Sequence, residues 1–410
     1  MLMVQKNNTF PVTGVSSGPA PEPANRQKTS DSGHKAAKKL FWGSTLFYAL
    51  VAFEFFYMFS PFAVYFYGVY NPGLNFLSLS GSTSWLTSFF MPHIVRETSS
   101  SLLNLHEPAG FLLLVGGMTG FAIGAFQVYR NKLLKRQNAV SGGIYRFIRH
   151  PQYLALMVAS LGMVLIWPRY LVLFGFVTVC FAYYLLSRAE EKICLGKFPD
   201  YADYLRGTGM FFPRKVEKVF TFSRIPSSRF MKFLVTAGIY ILALLFAFIG
   251  ARSIHQFSIR QLYSYSTGQE VYVSIGKLQD EELKLLISTA GNCEDVSSLL
   301  NGVRQTDRNA RFINYVMPLE LYISEVPMHI PEGVRPGHGS PRNKDQSYYK
   351  IIYTKAVSVR EQAMGEEILK NAINKIPVAE VWINRLSNEV IKVMGPPDHV
   401  YYEGIPVPVF

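Results

Sequence analysis

The stretch SGGIYRFIRHPQYLA (141–155) sets Arg146, Arg149 and His150 directly against Pro151, which opens a long apolar run. Proline suits the first turn of a helix, because its missing N–H would have no intrahelical partner there. A helix is therefore expected at or just after Pro151. Its start would present unpaired N–H groups and a partial positive charge. Arg149 and His150 make that start a place for a carboxylate or a phosphate. Gly142 and Gly143 would let the backbone come close to a ligand, and Tyr145 and Tyr153 add aromatic faces for a cation or a base. The chemistry implied is capture of a ligand carrying mixed charge at the boundary of water and lipid.

A second cluster lies in SRAEEKICLGKFPDYADYL (187–205). Glu190 and Glu191 are suited to ammonium or ribose hydroxyl groups, and Arg188 stands just ahead of them. Tyr201 and Tyr204, three apart, share one face of a short helix. Interfacial anchoring and a solvated helix start account for either cluster taken singly. They account less well for two clusters at the two ends of one helical hairpin.

Elements that would hold these residues follow from the hydropathy. The chain has 410 residues, of which 49% are hydrophobic and 17% charged. Five apolar runs read as membrane-spanning candidates: 41–60, 109–129, 153–167, 170–186 and 233–250. The third and fourth are separated only by Pro168 and Arg169 and form a tight hairpin. That hairpin returns Glu190 and Glu191 to the side of Arg149 and His150. The expected fold is an α-helical multi-span membrane domain, 40–250, with a soluble α+β domain at 251–410. A disordered basic leader, 1–39, precedes them, with no signal peptide.

The net charge of +13 is unevenly spread. Residues 128–150 hold six basic residues and no acid, and 188–232 hold ten against five. The positive-inside rule puts these stretches and the leader in the cytosol, and five spans then carry 251–410 to the opposite side. Basicity here sets topology; no aromatic-interleaved basic face points to nucleic acid. Cys180, Cys194 and Cys293 define neither a disulfide framework nor a metal site. Between the first two spans, LTSFFMPHIV (86–95) and SSSLLNL (99–105) are expected along the interface. In the tail, 270–275, 348–357 and 378–384 read as strands, 280–289 and 360–375 as helices, and 331–345 as a loop. His329 and His338 at that loop read as surface residues, and Glu54 as a carboxylate reaching for the headgroups.

The spacing GIYRFIRHPQY…EEKICLGKFPDYADYL…FFP resembles the isoprenylcysteine carboxyl methyltransferase and phospholipid methyltransferase family over about 137–213. Val140, Ser141, Gly143, Tyr145, Arg149, His150, Pro151 and Tyr153 match its first block. Glu190, Glu191, Phe198, Tyr201, Tyr204 and Pro213 match its second. Ala155 stands where the family has glycine, and Phe198 with Pro199 replaces Phe-Gly, one residue closer to Tyr201. The resemblance implies an integral membrane enzyme using S-adenosylmethionine. Gln137, Val140, Tyr145, Arg149, His150, Pro151, Gln152, Tyr153 and Glu191 would line the cofactor pocket. Arg188 and Glu190 would serve catalysis and the polar group of a lipid or lipidated substrate. Two other readings remain: a NADPH-dependent sterol-type reductase on a related core, and a non-catalytic anchor for a protein-binding tail at 251–410.

Overall fold

The computed structural model describes residues 42, 45, 48, 49, 52, 72–80, 82–134, 141–220, 228–329, 347–358, 360, 362–398 and 407–410. The leader, Glu54, His338, the 331–345 loop and most of the 41–60 run lie outside the described residues. The helices are α1 (Ser101–Asn104), α2 (His106–Leu133), α3 (Pro151–Ile166), α4 (Tyr170–Lys197), α5 (Tyr201–Gly207), α6 (Arg214–Phe220) and α7 (Arg229–Arg260). There follow β1 (Ser264–Thr267), β2 (Glu270–Ser274), α8 (Asp280–Gly291), α9 (Glu294–Thr306), β3 (Phe312–Pro318), β4 (Tyr348–Ser358), α10 (Glu367–Asn371), β5 (Ala372–Asn384) and β6 (Glu389–Met394). The chain divides into two compact units, one of 1–50, 112–162 and 176–240, the other of 51–111, 163–175 and 241–410.

Among the described residues three helical stretches are long and apolar enough to cross a membrane: Ser101–Asn131, Tyr170–Lys197 and Phe230–Arg260. The expected third span is the helix Pro151–Ile166, whose 16 residues fall short of the roughly 20 that a straight crossing takes. The expected fourth span does not stop at 186. α4 runs on to Lys197, so Glu190 and Glu191 belong to the helix itself. The backbone hydrogen bonds of a helix continue past the end of an apolar run as long as no proline or glycine interrupts them.

In the first unit α2 and α3 approach closely. A Cβ on Gly117 would lie 2.5 Å from the Ala159 nitrogen and 2.6 Å from the Ala155 oxygen. Gly120 faces the Ala155 methyl at 3.4 Å. Ala155, in place of a family glycine, is thus accommodated by glycines on the partner helix. α3 and α4 pack through Tyr153, Val179, Tyr183 and Leu186, all buried.

The second unit is built on a six-stranded sheet in the order β1-β2-β3-β4-β5-β6, antiparallel except for the parallel pair β2–β3. A parallel neighbour needs a crossover, and α8 and α9 supply it. Leu283, Leu286, Ala290, Val296 and Leu300 of that crossover pack on Tyr272, Phe312, Val316, Ile351 and Val381. The other face holds Val271, Val273, Ile313, Tyr315 and Ile352 against Ile94, Val95, Ile259, Val326, Ile368 and Phe410. Ile94 and Val95, expected along an interface, are core residues of this unit. β3 is buried on both faces, which is why FINYVMP shows no alternation.

The helix expected over 360–375 is shorter than that and gives way to strand at Ala372. Only Glu367–Asn371 is helical. Gly365 at φ +56° breaks the chain before it, and from Ala372 onward the backbone pairs with β4. A long antiparallel partner outweighs the helix propensity of the local sequence. His329 is half-buried and donates its backbone N–H to Glu380 Oε2 at 2.7 Å.

Two predictions follow from this packing. Gly117→Val should lower the thermal unfolding midpoint in detergent, by an overpacking cost of about 1–3 kcal/mol. Gly116→Val, with open space around it, should cost only its helix propensity. The second concerns Lys375, whose Nζ donates to the Pro408 carbonyl at 2.5 Å. Burial holds its ammonium down to about 7 against an ordinary 10.5. Between those values the unfolded chain binds more protons than the folded one, so stability should rise with pH from about 7 upward. Lys375→Met should flatten that slope in denaturation of the full-length protein.

Candidate functional site

The site grows from the start of α3. Pro151 is the first helical residue, and His150 caps it by accepting the Leu154 N–H at 3.1 Å. The approach to that start is fixed by a second strand of chain. Arg149 N–H donates to Gly209 O at 2.9 Å and His150 N–H to Met210 O at 3.1 Å, and Ile148 forms a parallel bridge with Gly209. A Cβ on Gly209 would sit 1.8 Å from the Phe212 oxygen, so only glycine passes there. Met210 N–H is capped in turn by Glu217 Oε2 at 2.8 Å. The GTG stretch, 207–209, is therefore the far side of this bridge.

Arg149 is the knot. Its Nε donates to Glu191 Oε1 at 2.6 Å, and Nη1 donates to the carbonyls of Leu205, at 3.2 Å, and Thr208. Both side chains of the ion pair are only 7% exposed. That depth places the pair where loss of one partner strands a buried charge. Three elements are tied by one guanidinium: the entry to α3, the polar end of α4 and the chain leaving α5.

His150 lies between the two carboxylates, with Nδ1 3.7 Å from Glu190 Oε2 and Nε2 3.5 Å from Glu191 Oε1. Tyr153 donates its hydroxyl to Glu190 Oε1 at 2.6 Å, and its ring lies nearly parallel to that of His150, 6° apart with centroids at 5.7 Å. Tyr204 donates to the Tyr145 carbonyl at 2.6 Å. Burial pushes the Tyr204 phenol up to about 12 and raises Tyr145 and Tyr201 further. All three are neutral hydroxyls at physiological pH.

Of the residues singled out from sequence, Tyr145, Arg149, His150, Pro151, Tyr153, Glu190 and Glu191 meet here. Gln152 is buried on the α2 side, where a Cβ on Gly124 would lie 2.8 Å from its Cγ. Arg188 is exposed on α4, and no described hydrogen bond joins it to the cluster. Gln137 and Val140 lie outside the described residues. Gly143 adopts φ +63° and opens a short 3-10 turn over Gly143–Arg146. Sequence reasoning missed Gly209 and Met210, which act through backbone groups, and Glu217, whose carboxylate accepts from a backbone N–H. It also missed Tyr183, whose ring stacks on Tyr153 at 4.8 Å.

Residues 110–199 match the family model of the phospholipid methyltransferases. That segment of the chain is phospholipid methyltransferase-like. The match takes in α3, all of α4 and most of α2, and ends before α5. The matched segment thus carries Arg149, His150, Tyr153, Glu190 and Glu191, while the residues that latch them, 204–217, lie beyond the match. No curated protein and no solved structure matches the chain.

Replacing Arg149 tests the knot. Arg149→Met leaves Glu191 buried without a counter-charge and two carbonyls without donors, an expected loss of about 3–5 kcal/mol in detergent denaturation. Arg149→Lys keeps the charge but not the planar fork and should fall between the two.

Proposed function

We propose that the chain is an integral membrane methyltransferase that moves a methyl group from S-adenosylmethionine to a lipophilic or membrane-associated acceptor. The observation that carries this reading is the meeting of His150, Tyr153, Glu190 and Glu191 at the start of α3, inside the segment similar to phospholipid methyltransferases. The residues present fit such a cofactor. His150 Nε2 is buried and makes only a loose approach to Glu191 Oε1, at 3.5 Å, and a helix start, whose first N–H groups lack intrahelical partners, follows it. Donors of that kind suit the carboxylate of an amino-acid moiety. Glu190 and Glu191 suit its ammonium or a ribose diol, and the Tyr145 ring suits a sulfonium or a base, while Tyr153, its ring stacked on Tyr183 and His150, acts through its hydroxyl on Glu190. Arg149 has its Nε and Nη1 committed to Glu191 and backbone carbonyls, so its part is to hold the site's shape. By resemblance Gln137, Val140, Pro151 and Gln152 complete the pocket.

When bound, S-adenosylmethionine supplies a methyl group on a sulfonium, open to in-line displacement by a carboxylate, thiolate or free amine. The chain's residues align the partners and exclude water, effects worth several kcal/mol. Glu190 is placed to take a proton or orient a cation, with its Oε1 held by Tyr153. Arg188, exposed near the polar end of α4, is the candidate for a polar substrate group. The basic stretches beside the site favour a cytosolic face, with 251–410 opposite and available to a protein partner.

Calorimetry of detergent-purified protein with S-adenosylmethionine and S-adenosylhomocysteine tests the reading. Micromolar binding is expected, and His150→Ala and Glu191→Gln should each abolish it. A folded protein that takes up neither nucleoside at millimolar concentration refutes it. NADPH binding in that case would turn attention to the reductase.

A further inference from the structure

Tyr183 belongs to no motif, yet it lies at the centre of a column of rings. Tyr48 stacks on Tyr183 with centroids 5.3 Å apart and planes 22° apart. Tyr183 stacks on Tyr153 at 4.8 Å and 13°, and Tyr153 on His150 at 5.7 Å and 6°. Tyr183 is 4% exposed and Tyr153 6%, so neither ring has room to turn freely.

The helix geometry gives the column a purpose. Tyr183 and Glu190 are seven residues apart on α4, two turns, and so lie along one stripe of that helix. Tyr153, on α3, touches both. Its ring face meets Tyr183, and its hydroxyl meets Glu190 Oε1 at 2.6 Å. A phenol ring gripped on its face can deliver its hydroxyl to only a narrow arc. The carboxylate that receives the hydroxyl then turns its other oxygen, Oε2, toward His150 Nδ1 at 3.7 Å.

We propose that Tyr183 is a positioning residue for Glu190, acting through Tyr153: the stacked ring fixes the Tyr153 hydroxyl, and the hydroxyl fixes the carboxylate beside His150. This deepens the methyltransferase reading and rests on it for the role of Glu190. The arrangement of Glu190 itself does not depend on that reading. Tyr183 reaches the expected cofactor site only through Tyr153, on which its ring stacks. Its aromatic face is required and its hydroxyl is secondary.

The experiment reads the arrangement without a ligand first. In full-length protein with labelled histidine, assigned by His150→Asn, the NMR shift of His150 Nδ1 reports the nearby Glu190 oxygen. Glu190→Gln, Tyr153→Phe and Tyr183→Leu should all move that resonance in the same direction. Tyr183→Phe, which keeps the stacked ring, should leave it near wild type. Tyr183→Leu should add little once Tyr153 is already Phe, because both changes cut one chain of contacts. A resonance that stays in place in Tyr183→Leu, or two changes that simply add, overturns the proposal.

Calorimetry with S-adenosylhomocysteine is the second arm. Tyr183→Leu should weaken binding by on the order of tenfold, the scale of one lost aromatic pair, with the same non-additivity. Wild-type protein that binds no nucleoside refutes the methyltransferase reading and leaves the positioning role to be judged by the His150 resonance. Equal losses from Tyr183→Leu in both backgrounds reduce Tyr183 to ordinary packing and refute the proposal.

Discussion

The buried ion pair of Arg149 and Glu191 is the constraint on which the first unit's site depends. A guanidinium at 7% exposure cannot be left with spare donors cheaply. It therefore takes a carboxylate from α4 and two carbonyls from the chain around α5. Once those bonds are made, the 148–150 segment can lie only beside 208–210, and the start of α3 is fixed. His150 follows as its cap, and the two glutamates fall on either side of the imidazole. The ion pair contributes specificity of arrangement more than net stability, since its desolvation cost offsets much of its attraction.

Around that knot the charges are graded by how fully they are engaged. Glu191 is tied by Arg149. Glu190 has one oxygen held by a phenol and one turned toward His150. His150 Nε2 reaches Glu191 Oε1 only loosely, at 3.5 Å. Such an order separates fixed groups that set the geometry from groups that are less engaged. The tyrosines serve the first purpose. Tyr204 ties the turn before α3 to α5, and Tyr153 with Tyr183 ties α3 to α4.

The second unit obeys a different physics. Its central strands, β2 to β5, are packed with apolar residues on both faces. Residues far apart in sequence, Ile94 and Val409 among them, meet on one face. Such a face also carries Lys375 and Glu380 in the interior, held by the Pro408 carbonyl and by His329 and Trp382. Both have found a polar group, as the cost of an unpaired one requires.

The sequence by itself determined three of the five expected spans among the described residues, the helix start at Pro151 and the two polar clusters at the ends of the hairpin, because each is written in neighbouring residues: hydropathy over a window, a proline, a pair of glutamates. It determined the strand at β4 and the helix at α8 for the same reason. It did not determine where α4 ends, since the hydropathy falls off before the hydrogen bonding does. Nor did it determine that 372–377 is strand, because a pairing partner decides that and the partner is β4. The roles of Arg149, Gly209 and Tyr183 were decided by the tertiary structure alone. One spends its donors on carbonyls, one passes through a gap of backbone width, and one acts through a ring on another helix. Contacts of that kind join residues by distance in space, and the order of the chain records no trace of them.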